Sequence, residues 1–305
     1  MRNADAPTPA APPRRRRRWQ IWVLGILAAG LMLVAGLAVW LDTSAGHRFL
    51  VARISGIEPQ SGLRIGIERI DGSIYGKARL RGVRLSDPGG IFLSAPDVRL
   101  DWWPVAWLYN RLDIDMLDVP VARLHKLPHF IPSKAKRPLL PDFDIRLMRL
   151  NVGRLFVDRA VVGRADVMTM AGDADVRSGR AVVDLSARSL SGDDRLLLAL
   201  DSRPDDNRFD VDVTVNAPRG GVLAGVAGVK QDANLRLKGD GDWKLWKGSL
   251  VATLGGSPAA GFSLKAQEGR YSLVGALEGR ALGAEGMLAR IAVPQLRIEG
   301  GGTFA

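Results

Sequence analysis

The chain has 305 residues, 35 of them glycine, no cysteine and a formal charge of +11. Without cysteine there is no disulfide, no Cys-ligated zinc and no thiol nucleophile. Residues 1–20 hold six arginines and one acid, a net of +5, so the other 285 carry only +6. Those charges are interleaved as on solvated strand faces, and aromatics are sparse, which argues against a nucleic-acid partner.

Residues 1–18, rich in Pro, Ala and Arg, read as a disordered basic tail. "RRRRRWQIWVLGILAAGLMLVAGLAVWLD" follows. Ile21–Leu41 is an uncharged run of 21 residues, roughly the 30 Å of a hydrocarbon core at 1.5 Å per residue. Trp19, Trp22 and Trp40 lie near its ends, and Arg14–Arg18 precede it. The pattern predicts a single membrane anchor over 19–41, with a cytoplasmic N-terminus and the bulk of the chain outside the cytoplasm. A cleaved signal peptide is the rival reading, with Ser44, Ala45 and Gly46 as the small residues; the length of the run favours the anchor. Residues 42–60 predict a short connecting helix, with Asp42, Thr43 or Ser44 as its cap.

From Leu63 the period becomes two, the mark of β-strands. Leu63, Ile65 and Ile67 alternate with Arg64, Gly66 and Glu68. Leu80, Val83 and Leu85 alternate with Arg79, Arg81 and Arg84, and Val98, Leu100 and Trp102 extend the apolar phase. Strands are expected near 63–70, 73–80, 82–86, 91–94, 97–102, 111–118 and 120–125, forming a first β segment over 61–127. More are expected near 145–150, 153–159, 165–170, 173–177, 180–188 and 195–201, then 208–216, 232–238, 247–254, 261–267, 271–277 and 295–299. These make a second β segment over 145–305. "WPVAWLYNR" interrupts the first segment as a helical plug near 104–110, with Pro104 at its start and Asn110 at its end. No other helix is expected after residue 60. "KLPHFIPSKAKRPLLPDF", with four prolines, predicts a basic loop over 128–144 that divides the β region in two.

Catalytic signals are weak. His125 and His129 are four apart, but Pro128 lies between them. The pairs Asp113/Asp115 and Asp210/Asp212 fit a wet strand face better than acid–base chemistry. "GGVLAGVAG" lacks the spacing and the helix of a nucleotide loop. A non-enzyme with no metal and no cofactor is expected.

The order of these features resembles the N-terminal part of the TamB family, of the AsmA-like superfamily, over residues 19–305. The anchor and "DTSAGHRFL" come first, then "SGLRIGIERIDGSIYGKARLRGVRLSDPGGIFL", "APDVRLDWWPVAWLYNRLDIDMLDV" and "GDWKLWKGSLVATLGG". The resemblance implies an inner-membrane-anchored, mainly β protein whose long open sheet is curled like a taco shell around an apolar groove in the periplasm, with few short helices. It further implies movement of phospholipid toward the outer membrane, support of outer-membrane protein assembly and secretion, or both. The implied partner is an outer-membrane barrel of the TamA type, docked through a C-terminal region absent here. The chain is shorter than the family and ends mid-pattern, so it reads as a fragment.

Elementary physics agrees with an open groove. A sheet with one oily face and no helices to cover it must bury that face somehow, and each CH₂ of an acyl chain moved onto it gains roughly 0.8 kcal/mol. The expected lipid-lining residues are Leu63, Ile65, Ile67, Leu80, Val83, Leu85, Val98, Leu100 and Trp102, with Arg64, Arg79 and Arg99 facing water. Gly66, Gly76 and Gly82 are the expected bending points. Trp102, Trp103, Trp107 and Tyr109 leave two readings open, a plug closing the near end of the sheet or a direct lipid contact. The alternative function is a scaffold that takes up polypeptide strands at a sheet edge without conducting lipid.

Overall fold

The computed structural model describes residues 32–33, 35–37, 39–55, 62–129, 144–177, 180–203, 206–242, 244–267, 270–278 and 295–303. The chain divides into two compact units, Met1–His47 and Arg48–Ala305. In the first, the described residues from 32 to 41 are helical. Helix α1 (Ser44–Ser55) starts at the connecting helix predicted over 42–60. Thr43 is its cap: its Oγ1 accepts the Gly46 N–H at 3.3 Å. The expected anchor falls mostly outside the described residues. Among those described, no helix is long and apolar enough to cross a membrane.

The second unit is mainly β, built on one sheet of fifteen strands. The first six are β1 (Arg64–Gly66), β2 (Arg69–Gly72), β3 (Lys77–Asp87), β4 (Gly90–Trp103), β5 (Arg111–Leu124) and β6 (Asp144–Val157). Then come β7 (Asp166–Arg177), β8 (Arg180–Ser189), β9 (Arg195–Arg203), β10 (Arg208–Ala217) and β11 (Ala233–Gly241). The last are β12 (Leu245–Leu254), β13 (Ser257–Gln267), β14 (Arg270–Glu278) and β15 (Gln295–Thr303). Strands follow chain order across the sheet, except that β1 and β2 both pair with β3. All pairs are antiparallel but one. β5 and β6 are parallel, from Arg111↔Asp144 to Leu124↔Val157, so the sheet runs unbroken past the proline-rich stretch.

Five strands, β3 to β7, are continuous where the alternation breaks in the sequence. In three of them, β4, β5 and β6, the break coincides with a bulge. Gly82, at φ +61°, sits in β3 opposite the Pro96 region of β4. The register between β4 and β5 shifts around Pro96 and again around Pro120. That between β6 and β7 shifts on either side of Leu150–Val152. A bulge inserts one residue and reverses the alternation, and it tolerates a proline that a regular central strand would not. The result is that Leu80 faces Val98, Val83 faces Ala95 and Leu85 faces Leu93, all on one face.

The sheet is open and uncurled, which corrects the expected taco-like curl. Each strand packs against its ladder neighbours, and β1, β2 and β15 lie at the free flanks. The glycines expected to bend the sheet act locally instead. Gly82 takes a left-handed φ of +61° opposite Pro96 without a change of register, and Gly76 closes the turn between β2 and β3, donating its N–H to Ser73 O at 3.4 Å.

Three short helical segments accompany the sheet. The expected plug is a 3-10 turn, η1 (Pro104–Tyr109), ended by Asn110 in the left-handed region at φ 57°. Two helices are new: α2 (Arg159–Val162), at the end of the strand expected over 153–159, and α3 (Val222–Val226), inside the glycine-rich "GGVLAGVAG". They touch closely, for a Cβ on Gly225 would lie 2.5 Å from Val162 Cβ. Together they cover one end of the apolar face, where Val157, Met168, Ala187 and Val222 form a buried cluster. Asp194, 1% exposed, holds α3 there by accepting the Leu223 N–H at 2.8 Å.

Candidate functional site

Cross-strand register turns the alternating apolar residues into rows. One row begins with Ala78 on β3 and continues through Leu100, Leu117, Leu150, Gly172 and Leu185. From β9 it runs on as Leu198, Val213, Leu237, Leu250, Phe262, Gly275 and Ile298. A second row, from Val119 on β5 to Leu296 on β15, carries no polar side chain. Neither does a third, from Trp102 on β4 to Gly300 on β15. At about 4.8 Å per strand the first row is roughly 60 Å long, and three rows two residues apart span about 13 Å. On β9 to β14 every residue of these rows is half-buried except Gly239, which is buried. Side neighbours shield them; among the described residues, no second sheet closes over them.

Six of the residues predicted to line a groove are in this face by register: Leu80, Val83, Leu85, Val98, Leu100 and Trp102. Ile65 joins them opposite Leu85, at 38% exposure on the flank. Leu63 and Ile67 lie just outside β1 and take no register partner. The larger part of the face, from Leu117 to Ile298, was not singled out, although the same alternation is present in "NLRLKGD" and "FDVDVTV".

Near β10 to β13 the face is paved rather than studded. The Trp246 ring lies across Gly239 and Gly248, which face each other in register, and stands 5.7 Å from the Phe209 ring. Phe262 lies over Gly275 in the same way.

The opposite face is charged and stitched. Arg79 binds Asp97 through two hydrogen bonds at 2.5 and 2.6 Å, Arg99 reaches Asp118 at 3.2 Å, and Asn151 donates to Asp118 at 2.6 Å. The Arg79 guanidinium holds the Asp97 carboxyl below its usual range. On the other side, at the helix-covered end of the apolar face and opposite Val157 in register, Asp166 is 4% exposed, which pushes its carboxyl up. Hydrogen bonds from Ser191, the Val167 N–H, Ser189 and Arg164 outweigh that burial and leave it lowered.

The histidines are structural in their contacts. His125 Nδ1 lies 2.9 Å from Asp158 Oδ2, and its Nε2 lies 2.8 Å from Ser94 Oγ. This is the order of a Ser–His–Asp relay. Ser94, however, sits inside β4 with Arg84 and Arg123 opposite on either side, so no sharp turn presents it to a substrate. The three side chains tie the ends of β4, β5 and β6. Among the described residues, no group of His, Asp and Glu could hold a metal ion.

Asp87 anchors the segment after β5. Its side chain is fully buried, and it accepts from Lys126 Nζ at 2.6 Å, the His129 N–H at 2.8 Å and the Gly89 N–H at 2.8 Å. The Lys126 ammonium first, then these N–H groups, hold its pKa down at about 2. A lowered carboxylate contributes stability that is complete above its unfolded value of 3.8 and is lost as pH falls through about 2. Asp87→Asn should therefore melt several degrees below the parent at neutral pH, and that difference should vanish on acidification through this window, as followed by circular dichroism.

In comparisons with known proteins, no family model matches the chain, and no curated protein or solved structure matches it.

Proposed function

We propose that the chain is a membrane-anchored lipid-handling protein whose apolar face carries phospholipid acyl chains across an aqueous compartment. The observation that supports this is the three unbroken apolar rows from β4 and β5 to β15. No polar side chain interrupts them, as a path for hydrocarbon requires. Their combined width of about 13 Å accommodates two acyl chains side by side, with the headgroup in water beyond the strand ends. An uncurled face covers only one side of each chain, which suits transient passage over tight retention. The finer reading follows the TamB resemblance: an anchor in the inner membrane, the sheet in the periplasm, phospholipid moving toward the outer membrane, and a barrel of the TamA type as partner. It rests on the sequence features that carry that resemblance.

Photo-reactive side chains test the reading. Probes at 198 and 237, on the rows, should give phospholipid adducts in cells; probes at 197 and 236, on the opposite face, should not. Equal labelling of both phases, or none from a folded chain, would sink it. The scaffold reading draws on one feature, the outer edge of β15, since among the described residues β15 pairs only with β14. Polypeptide adducts from 296–302 without any lipid adducts from 198 and 237 would favour the scaffold.

A further inference from the structure

The aromatic residues at the end of β4 do not behave as a plug. Trp103 is 62% exposed, Tyr109 is 78% exposed, and Val105 between them is 49% exposed. A plug would bury them. The turn between β2 and β3 projects from the same end of the sheet, because Gly76 O accepts the Trp102 N–H at 3.3 Å and Lys77 faces Asp101 in register. Tyr75, on that turn, is 43% exposed. Two cations share this end. The Lys77 side chain is 86% exposed and reaches Asp101 only at 3.8 Å; Arg111, at the start of β5, lies 3.7 Å from Asp144.

We infer that this end of the sheet is a foot that rests in the headgroup layer of a bilayer. Rings with an apolar body and a polar tip partition to the layer between water and hydrocarbon. Exposed apolar side chains gathered at one place mark an interaction site rather than a packing defect. Lys77 and Arg111, each ion-paired to a carboxylate there, put polar groups beside the rings as a headgroup layer accommodates. Chain length agrees. Only residues 42–62 separate Leu41, the end of the uncharged run, from Leu63. Fully extended they reach about 75 Å, and less with α1 helical. The strands that carry the foot, β2 to β5, are among the first in the sequence after that run. The inference rests on the membrane-anchored reading but not on lipid conduction.

The cysteine-free sequence allows a clean test. The full chain, carrying a single bimane-labelled cysteine at Val105→Cys or Leu190→Cys, is reconstituted in phosphatidylcholine–phosphatidylglycerol vesicles with brominated acyl chains. Leu190 is as exposed as Val105, at 53%, and lies in the turn after β8, away from the foot. Bimane at 105 should be quenched several-fold more than at 190, and Trp103→Ser with Tyr109→Ser should bring the two together. Equal quenching at both positions, or quenching at 105 that the double variant leaves unchanged, overturns the foot. Shielding at 105 that vanishes on dilution of the protein points to a second copy and overturns it as well. Lipid adducts from 198 and 237 without quenching at 105 would remove the foot and leave conduction standing; the reverse pattern would remove conduction alone.

Discussion

Leu237→Asp should lower the phospholipid carried by the purified protein about tenfold or more while leaving it folded. Leu237 sits mid-row, with Val213 and Leu250 opposite it on β10 and β12. A tenfold loss corresponds to about 1.4 kcal/mol, and an unpaired carboxylate against hydrocarbon costs several kcal/mol. One charge is therefore enough to break the path. The fold should survive, because Leu237 is half-buried on a face that, among the described residues, no second sheet covers. Without lipid, the carboxylate can hydrate. In a closed sandwich the same change would unfold the domain. Arg236→Asp, one residue away on the exposed opposite face, is the control and should leave lipid content unchanged. Mass spectrometry of bound phospholipid reads the first effect, and a circular-dichroism melt reads the second. Unchanged lipid in a folded Leu237→Asp variant would count against the apolar face as the path.

Leu100→Asp and Ile65→Asp extend the same logic toward the first strands. Leu100 lies on the same row as Leu237 and should behave like it. Ile65, on the three-residue flank strand β1, is already 38% exposed and should have the smaller effect.

The all-β character was legible because a two-residue period needs no partner to be seen. Ten of the expected pieces are nonetheless halves of five continuous strands, β3 to β7. The reason is visible in β3 and β4: Leu80 and Val83 are three apart, yet they face Val98 and Ala95 on the same side, because Gly82 and the opposite Pro96 each take up one residue. Such a residue reverses the alternation within a continuous strand, and in sequence that reversal looks like an end. The parallel pairing of β5 with β6 was not legible at all. It joins residues on either side of a proline-rich connection, and nothing local to either strand encodes it. The helices α2 and α3 were missed because four or five residues are too few for a helical period. What holds them is tertiary, namely the Asp194 carboxylate on the Leu223 N–H and the contact of Gly225 with Val162.

The candidate face was legible in phase but not in extent. Leu80, Val98 and Leu100 are on it as expected, yet the length of the rows depends on register, which a single strand does not state. The curl went wrong for a related reason. Gly66, Gly76 and Gly82 announce backbone freedom, but a left-handed φ within β3 and a turn use that freedom without bending the sheet.

The paving of the face by aromatic rings on glycines leads to a sign reversal. Gly239→Ala should destabilise the protein by about 1–3 kcal/mol, the range for overfilling a packed site. A Cβ at 239 would lie 1.9 Å from Trp246 Cζ2, and one at 248 would lie 2.5 Å from Cη2, so the indole occupies the space two missing side chains leave. Gly239 is not among the glycines with positive φ, so the backbone itself accepts alanine without strain. The ordinary effect of glycine in a strand is a cost of about 0.5–1 kcal/mol relative to alanine. Removing the ring should expose that ordinary effect. In a Trp246→Ala background, Gly239→Ala should therefore stabilise by about 0.5–1 kcal/mol, and the double-mutant cycle should give a coupling well outside additivity. Urea denaturation of the four proteins measures it. If Gly239→Ala shifts stability by the same amount with and without Trp246, the ring does not lie across the glycines, and the smooth apolar floor it creates beneath a passing acyl chain is not there.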